Sequence, residues 1–583
     1  MVMPAATRRE GPSQPSGSSI RSRLARSFGR VALRVGPGLV LGLLALGPGL
    51  RRGFLLSYDM VFVPREPFTP AMFGLAGGPP RAVPSDFVVA FAARAIPADI
   101  VQKLVLLLIF VLACSGVMAL LDRQPVLARL AAGAFYTWNP YLAERLIIGQ
   151  WALLLGYAGL PWVLRAMLTP AEAPTAEAPS RTGAFRLDRR VRLALALLPA
   201  VVGGFAAMAV TALVVVPVAL LGRSLSRAVL ALAALAVGSL PWLIPSVLHP
   251  VYTDPAGVAA FAARADTPFG AVGSLLMLGG TWNAETVPRA YGGAWSALWL
   301  ALAVAAILGY AVLARRGPGP SRTGPGWAGL GLAAVAGLVL ASLGVTAAGR
   351  DLLRAATGFW PGFAVLRDGQ QFVAPLALAE AAGFGLAVAW VMNPGSFGRK
   401  NTDWVPGQHQ VAARADTPGL ALGLIALLAP VLLLPGLAWG AAGRLRPVEY
   451  PAGWLAAARL IDASRGPGDV LLLPWVADRT PPWNRGEVML DAWPRLLSRP
   501  VIWNDGTQVG DVRMAPDDPR ARQLDKIIDS RAPLTGALRA AGVRFVVDDP
   551  DPLPNADTPT GVRLAGWTAI IRLPDLVVYE WRG

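Results

Sequence analysis

The sequence has very few of the side chains that soluble enzymes most often use for chemistry. Its 583 residues include one cysteine, Cys114, and two histidines, His249 and His409. A single cysteine excludes a disulfide framework and a thiolate metal cluster, and two histidines leave little for a zinc site or a Ser-His-Asp triad. Chemistry in this chain must therefore rest mainly on carboxylates, arginines and backbone groups.

Charged residues are also scarce. They make up 15% of the chain, against about 25% in ordinary soluble domains, while 54% of residues are hydrophobic and the mean hydropathy is +0.49. These values exclude a simple soluble protein. The net charge of +17 belongs to the apolar part, because the tail from Arg444 onward is neutral. The basic residues are scattered rather than clustered, so we expect no nucleic-acid partner.

Apolar runs of about 20 residues, each long enough to cross about 30 Å of hydrocarbon, recur along the first three quarters of the chain. The run at 193–221 is longer, and Pro199, Gly203 and Gly204 interrupt it, so we expect two short spans there. The sequence predicts a polytopic α-helical membrane protein with roughly eleven spans. The runs lie at 31–50, 101–121, 125–142, 150–168, 193–221, 228–247, 293–314, 327–347, 373–392 and 419–441.

The distribution of arginines predicts the orientation of the spans. Residues 1–30 are arginine-rich and precede an apolar run without a small-residue cleavage motif, which indicates a cytoplasmic segment followed by an uncleaved anchor. Alternation of sides then makes 51–100, 248–292 and 348–372 external loops of a transmembrane domain at 31–442. With an odd number of crossings, residues 443–583 form an extracytoplasmic domain of a multi-pass plasma-membrane protein.

The tail has the pattern of a soluble α/β domain. Short β-branched runs at 470–473, 501–503, 543–547, 568–573 and 576–579 predict strands, and 453–465 and 519–541 have helical periodicity.

The first external loop holds the strongest candidate for a catalytic group. Asp59 follows the first span by about nine residues and has apolar neighbours, as suits a general base that deprotonates a hydroxyl. A solvated loop aspartate is the alternative. Glu66 and Asp86 are weaker candidates for a second acid or a metal ligand, so the metal requirement stays open and a divalent cation is allowed.

Other candidates lie at the predicted outer surface. Glu144 and Arg145 follow an Asn-Pro break among aromatic residues, where a phosphate or a sugar could meet the charge pair. Arg367 precedes a span beside Asp368 and could bind a lipid phosphate, although charged residues also cap membrane helices.

Two further positions are less specific. Trp282, Asn283 and Glu285 in the second loop could bind sugar, but an interfacial re-entrant helix explains them equally well. Glu380 lies within a span, where an ionisable group is costly; it reaches a central cavity or is simply protonated.

Together these motifs resemble the GT-C class of membrane glycosyltransferases, and most closely the actinobacterial α-(1→3)-arabinofuranosyltransferase type. The likeness depends on an external-loop aspartate, an extracytoplasmic α/β tail and several short motifs. Such families commonly show Arg-Glu-Pro-x-Lys-Phe before the late span, and Gln371 replaces that lysine here. The motifs are Trp138-Asn139-Pro140-Tyr141, Glu144-Arg145-Leu146, Gly149-Gln150-Trp151, and Leu366-Arg367-Asp368 with Phe372.

The resemblance implies a polyprenyl-phosphate-linked sugar as donor, arabinofuranose or mannose, and a cell-envelope polysaccharide as acceptor. Asp59 would then be the base of an inverting transfer, with Arg145 and Arg367 on the departing lipid phosphate. Two alternatives remain at this point: a polytopic transporter or lipid-carrier flippase, and a non-catalytic envelope-assembly protein. The sequence does not decide the sugar, the acceptor or the oligomeric state.

Overall fold

The computed structural model describes residues 17–76, 82–169, 188–222, 224–249, 253–316, 324–392, 417–530, 532–549 and 560–582. The predicted cytoplasmic segment 1–30 therefore lies partly outside the described residues. From residue 17 the chain is helical and runs without interruption into the first apolar run.

The helices of the membrane part are α1 (Gly17–Leu46), α2 (Ser85–Ala92), α3 (Ala98–Leu120), α4 (Val126–Thr137), α5 (Pro140–Ile147), α6 (Trp151–Leu168), α7 (Arg189–Leu221), α8 (Leu225–Leu248), α9 (Gly257–Ala260), α10 (Gly270–Leu276), α11 (Ser296–Arg316), α12 (Gly324–Leu343), α13 (Ala347–Phe359), α14 (Ala374–Met392), α15 (Thr417–Leu433) and α16 (Ala438–Gly443). The elements of the tail are α17 (Ala452–Ala463), β1 (Asp469–Leu473), β2 (Asp478–Arg479), β3 (Met489–Leu490), α18 (Trp493–Leu496), β4 (Val501–Ile502), β5 (Gln508–Val509), β6 (Val512–Arg513), α19 (Pro519–Asp529), α20 (Thr535–Ala540), β7 (Val543–Asp548), α21 (Thr560–Arg563), β8 (Thr568–Leu573) and β9 (Leu576–Glu580).

The described residues contain eight helices that are long and apolar enough to cross a membrane, or nine if the bent pair Thr417–Leu433 and Pro435–Gly443 is one span. The polytopic helical fold is confirmed, but this count is lower than the eleven spans predicted. The difference arises at two places. The run at 125–142 forms the short helices α4 and α5, neither of which is long enough to be counted, and the two helices predicted at 193–221 are counted once, as α7, although they meet at a kink at Gly204.

Helices α4 and α5 are too short to count as spans, yet together they return the chain along the bundle. Near one end of the bundle, Arg129 of α4 donates to the carbonyl of Met118 in α3. The break comes at Asn139, whose side chain accepts from the Leu142 N–H and caps α5. By Ile148 the chain has reached the first external loop, where the Asp59 N–H donates to the Ile148 carbonyl.

Helix α7 reverses direction at Gly204, which has a φ of 75° and a ψ of −149°. The first half runs opposite to α6, because Pro199 packs at Gly159. The second half runs with α6, because Val218 and Leu168 both contact Gly326. Arg189, the first residue of α7, also lies close enough to Arg227 in α8 for the two charges to repel each other. Only glycine adopts this backbone conformation readily, so the turn can be this tight.

The three predicted external loops and the tail meet at one end of the bundle. Phe54 of the first loop pairs with Val448, and the Asp254 carboxylate of the second accepts from the Ala515 N–H at 2.9 Å. The third segment packs against the second loop, since Arg367 lies over the ring of Phe261. At the opposite end, Arg129 interacts electrostatically with Asp122 and with two further arginines, Arg34 and Arg165.

The tail contains a five-stranded sheet in the order β4-β1-β7-β9-β8, with β1 parallel to β4 and β7 and with β9 antiparallel to β7 and β8. All five strands predicted from the sequence are present in it. The predicted helix at 519–541 is instead divided into α19 and α20. Two small ribbons, β2 with β3 and β5 with β6, were not predicted.

The β2–β3 ribbon matters for the site because the first external loop extends it. Tyr58 forms a parallel bridge with Met489 of β3. The tail is therefore joined to the loop that carries Asp59 by backbone hydrogen bonds as well as by side chains.

Candidate functional site

Asp59 projects from a tight turn in the first external loop. The Met60 N–H donates to the Ser57 carbonyl at 2.8 Å, and Tyr58 between them has a φ of 45°. Gly149 supports the turn from α5, because a Cβ atom there would lie 2.2 Å from the Met60 nitrogen. The Asp59 side chain is exposed. Asp59 lies in a loop, as the sequence predicted, and the external side of that loop stays a prediction. Its dependence on Gly149 had no local signal.

A chain of hydrogen bonds connects Asp59 to Asp368. The Gln150 amide donates to Asp59 Oδ2 at 3.1 Å, and its oxygen accepts from Arg145 Nη1 at 2.5 Å. Arg145 in turn holds Asp368 with two hydrogen bonds of 2.5 and 2.8 Å. The structure thus joins two regions more than 200 residues apart in the sequence.

Arg145 is completely buried, and its donors are engaged by protein groups. Besides Asp368 and Gln150, its Nε donates to the Gln370 side chain at 2.7 Å. The expectation that Arg145 binds donor phosphate remains a prediction. In this structure a phosphate would have to replace one of these partners.

Glu144, the neighbour of Arg145, contacts a second carboxyl group. It is fully buried, accepts from the Gln370 amide at 3.0 Å, and meets Asp266 of the second loop. Burial and the nearby Asp266 hold the pKa of Glu144 well above its usual range, and burial also raises the pKa of Asp266. Two carboxyl groups in contact require a shared proton, so this pair fastens α5 to the second loop.

Arg367 and Asp59 both contact one apolar cluster. We call this group the Phe261 cluster; it consists of Ile148, Phe261, Trp282 and Met514, with Tyr58 and Val509 packed against it. The Arg367 guanidinium carbon is 4.7 Å from the centre of the Phe261 ring, and the Asp59 N–H donates to the Ile148 carbonyl. Asp59 and Arg367 therefore border one surface, to which the first and second loops, the residue after α5 and the tail contribute.

The second-loop candidates lie beside the same cluster. The Tyr58 hydroxyl donates to Glu285 Oε2 at 2.5 Å, and the Asn283 side chain accepts from the Glu285 N–H. The indole of Trp282 packs edge-on against Phe261, and its buried Nε1 has no hydrogen-bond partner within the described part of the chain. Glu285 therefore orients Tyr58 in this structure.

Glu66 and Asp86 come together around an arginine of the tail. Arg495 binds Asp86 at 2.9 Å and also donates to the Val61 carbonyl. Burial and the Asp86 charge raise the pKa of Glu66 to about 8, against the opposing effect of Arg495. Burial raises the pKa of Asp86 as well. These three side chains line a small cavity together with Trp151 and apolar residues of the first loop.

The tail also contributes a carboxylate, Asp478, which interacts electrostatically with Asp59. Burial and the Asp59 charge raise the pKa of Asp478 to about 7. Sequence reasoning missed Asp478 and Arg495, because spacing along the chain does not indicate which tail residues meet the first loop. Gln150 belongs to the Gly149-Gln150-Trp151 motif and Gln370 lies between Asp368 and Phe372, but the sequence assigned no role to either residue.

Glu380 lies apart from this surface. It is fully buried in α14, and neither carboxylate oxygen has a hydrogen-bond partner among the described residues. Of the two expectations for Glu380, protonation fits this environment. Within the same described ranges, no group of three or more His, Cys, Asp or Glu is arranged to hold a metal ion.

The fold of the chain is that of known GT-C membrane proteins. A solved structure of the arabinofuranosyltransferase AftD from Mycobacteria aligns with a TM-score of 0.57 and 18% identity over 94% of this chain and 39% of AftD. A second AftD structure, of the mutant R1389S, aligns with a TM-score of 0.55 and 17% identity over 94% of this chain and 41% of its own. The chain thus spans about two fifths of the length of AftD.

A more distant neighbour is the oligosaccharyltransferase AglB from Archaeoglobus fulgidus, with a TM-score of 0.39 and 11% identity over 89% of this chain and 65% of that one. No family model matches the sequence, and no curated protein matches it either. The fold-level resemblance to a GT-C glycosyltransferase is confirmed by the AftD structures.

Proposed function

We propose that this protein is an inverting glycosyltransferase of the plasma membrane that uses a polyprenyl-phosphate-linked sugar, arabinofuranose or mannose. The acceptor is a cell-envelope glycan at the outer face. The observation that carries the proposal is that Asp59 and Arg367 contact different residues of one cluster, the Phe261 cluster, within a GT-C fold. A base and a cation beside one surface suit the two ends of a displacement at an anomeric carbon.

In the proposed reaction Asp59 takes the proton of an acceptor hydroxyl as its oxygen attacks the anomeric carbon. The bond from that carbon to the phosphate oxygen breaks, and the electron pair leaves with the lipid phosphate. Arg367 stabilises the charge that develops there. Its guanidinium carbon lies over the Phe261 ring, 4.7 Å from the ring centre, so the cation is placed beside the cluster.

The remaining candidates have supporting roles in this proposal. Gln150 and Arg145 position the Asp59 carboxylate, and the Trp282 ring packs against Phe261 beside the surface that would receive the sugar. The tail holds the acceptor glycan against the first loop, since both contribute to one surface.

The proposal is tested with purified protein in nanodiscs, a radiolabelled polyprenyl-phosphate pentose or hexose, and an oligosaccharide acceptor. Asp59→Asn keeps the size of the side chain but cannot accept a proton, so the transfer rate should fall by about 10² to 10⁴. The matched control is Asp575→Asn, which changes an exposed aspartate in the β8–β9 turn. Wild-type transfer by Asp59→Asn would remove Asp59 from the mechanism.

Arg367→Ala should affect the donor instead. Loss of one charge-assisted hydrogen bond to phosphate is worth about 1.5 to 3 kcal/mol, which corresponds to a rise of roughly 10- to 100-fold in KM for the donor. The control is Arg354→Ala, an exposed arginine of α13. If the wild-type protein transferred no sugar from any lipid-linked donor but moved lipid carrier across vesicles, a flippase would replace this proposal.

A further inference from the structure

Asp478 belongs to the tail, but the backbone aligns it with the catalytic loop. The Tyr58 N–H donates to the Val488 carbonyl at 2.8 Å, and the Leu490 N–H donates to the Tyr58 carbonyl at 2.9 Å. Leu490 is the antiparallel partner of Asp478. Asp59 follows Tyr58 directly, so Asp59 and Asp478 lie on opposite sides of β3, roughly 10 Å apart across the strands.

The two carboxylates have different surroundings. Asp59 is exposed, accepts a hydrogen bond from Gln150, and interacts electrostatically with the Arg495 guanidinium. Asp478 is less exposed, and Asp59 is the charged group that acts on it. Its neighbour Arg479 is engaged by Asp491 and Asp549 on the buried side of the ribbon.

We propose that Asp478 is a second carboxylate of the reaction site and that it forms, with Asp59, the pair that receives the acceptor proton. This inference rests on the proposed function. The acceptor O–H bond breaks as its oxygen bonds to the anomeric carbon, the pair takes the proton, and the bonding electrons of the leaving group depart with the lipid phosphate. The reaction centre is then completed only when the tail is docked on the first loop.

Asp478 supplies a group suited to neutral pH. Burial and the Asp59 charge raise the pKa of Asp478 to about 7, and a base is most effective when its pKa lies near the working pH. Because the two carboxylates interact electrostatically, the rate should follow the titration of the pair rather than of either member.

The first test is the pH dependence of sugar transfer. In the wild-type protein kcat/KM should rise through a midpoint near pH 7 and level off above it. Asp478→Asn should lose that midpoint and at least about tenfold of the rate at pH 8. Asp478→Glu should restore much of the rate, and Asp575→Asn should keep the wild-type profile. A wild-type profile in Asp478→Asn would overturn the role of Asp478 and leave the proposed function intact.

The second test measures proximity without activity. The only cysteine of the chain, Cys114, is buried. The double variant Asp59→Cys with Asp478→Cys should therefore be cross-linked by a short bifunctional thiol reagent, with a loop-to-tail bond detected after proteolysis. Asp59→Cys with Asp575→Cys should not be cross-linked. Absence of the first cross-link would contradict the inference. If the double variant were cross-linked but the wild-type protein transferred no sugar, the proposed function would be overturned, and the catalytic role of the pair with it.

Discussion

At the level of single residues, the position of Asp59 depends on a buried arginine that acts through Gln150. Arg145 donates to Gln150, which in turn donates to Asp59. Arg145 also binds Asp368 and Gln370, which lie two residues apart in the sequence. A guanidinium carries five donors in a rigid plane, so it fixes several acceptors at once. A lysine would supply the charge without this geometry.

Arg145→Ala should therefore destabilise the whole protein. Removing one partner of a buried ion pair costs about 3 to 5 kcal/mol, because the remaining charge stays uncompensated. Arg354→Ala in an exposed pair should cost less than about 1 kcal/mol. Thermal unfolding in detergent measures both. A variant Arg145→Ala with unchanged thermal stability but a raised KM for the donor would instead support direct phosphate binding by Arg145.

At the level of elements, the first external loop is held by acidic groups that prefer to keep their protons. Glu66 has a pKa of about 8 in the folded protein, against 4.5 as its ordinary value. Between these pH values the folded state binds a proton that the unfolded state releases. The stabilisation from Glu66 is therefore complete below about pH 4.5 and is lost as the pH rises towards 8.

Glu66→Gln should flatten this dependence, because the amide is neutral throughout. The melting temperature of the wild-type protein should fall between pH 5 and pH 8, and it should fall less steeply in the variant. Glu449→Gln, an exposed position just before the tail helix α17, serves as control and should follow the wild type. Parallel slopes for wild type and Glu66→Gln would mean that Glu66 is already ionised at pH 5.

The elements themselves were largely predictable from the sequence, whereas their contacts were not. Apolar runs located the spans, and alternating β-branched residues located all five strands of the main sheet. Hydropathy located the 125–142 run but not the break within it, because it does not register the capping of α5 by Asn139. Ribbon β2–β3 has two residues in each strand, too few for a periodic pattern, so the route by which Asp478 reaches Asp59 could not be anticipated.

At the level of the whole molecule, the arrangement of charges separates two ends of the bundle. The loops that carry Asp59, Trp282 and Arg367 meet the tail at one end. Asp122 lies with a group of arginines at the other, including Arg129 and Arg165. Basic residues near span ends are retained on the cytoplasmic side, so this separation favours an extracytoplasmic site. A lipid-linked donor presented at the outer leaflet would then face the catalytic loop.

This orientation can be measured in intact cells with single added cysteines. Asp575→Cys in the tail and Arg123→Cys in the turn after α3 are both exposed, and the native Cys114 is buried. A membrane-impermeant maleimide should label Asp575→Cys in intact cells and label Arg123→Cys only after lysis. The reverse pattern would place the tail in the cytoplasm, where nucleotide-linked donors are made. Asp59 would then lie on that side too, since its loop is hydrogen-bonded to the tail, and a polyprenyl-phosphate donor at the outer leaflet would be excluded.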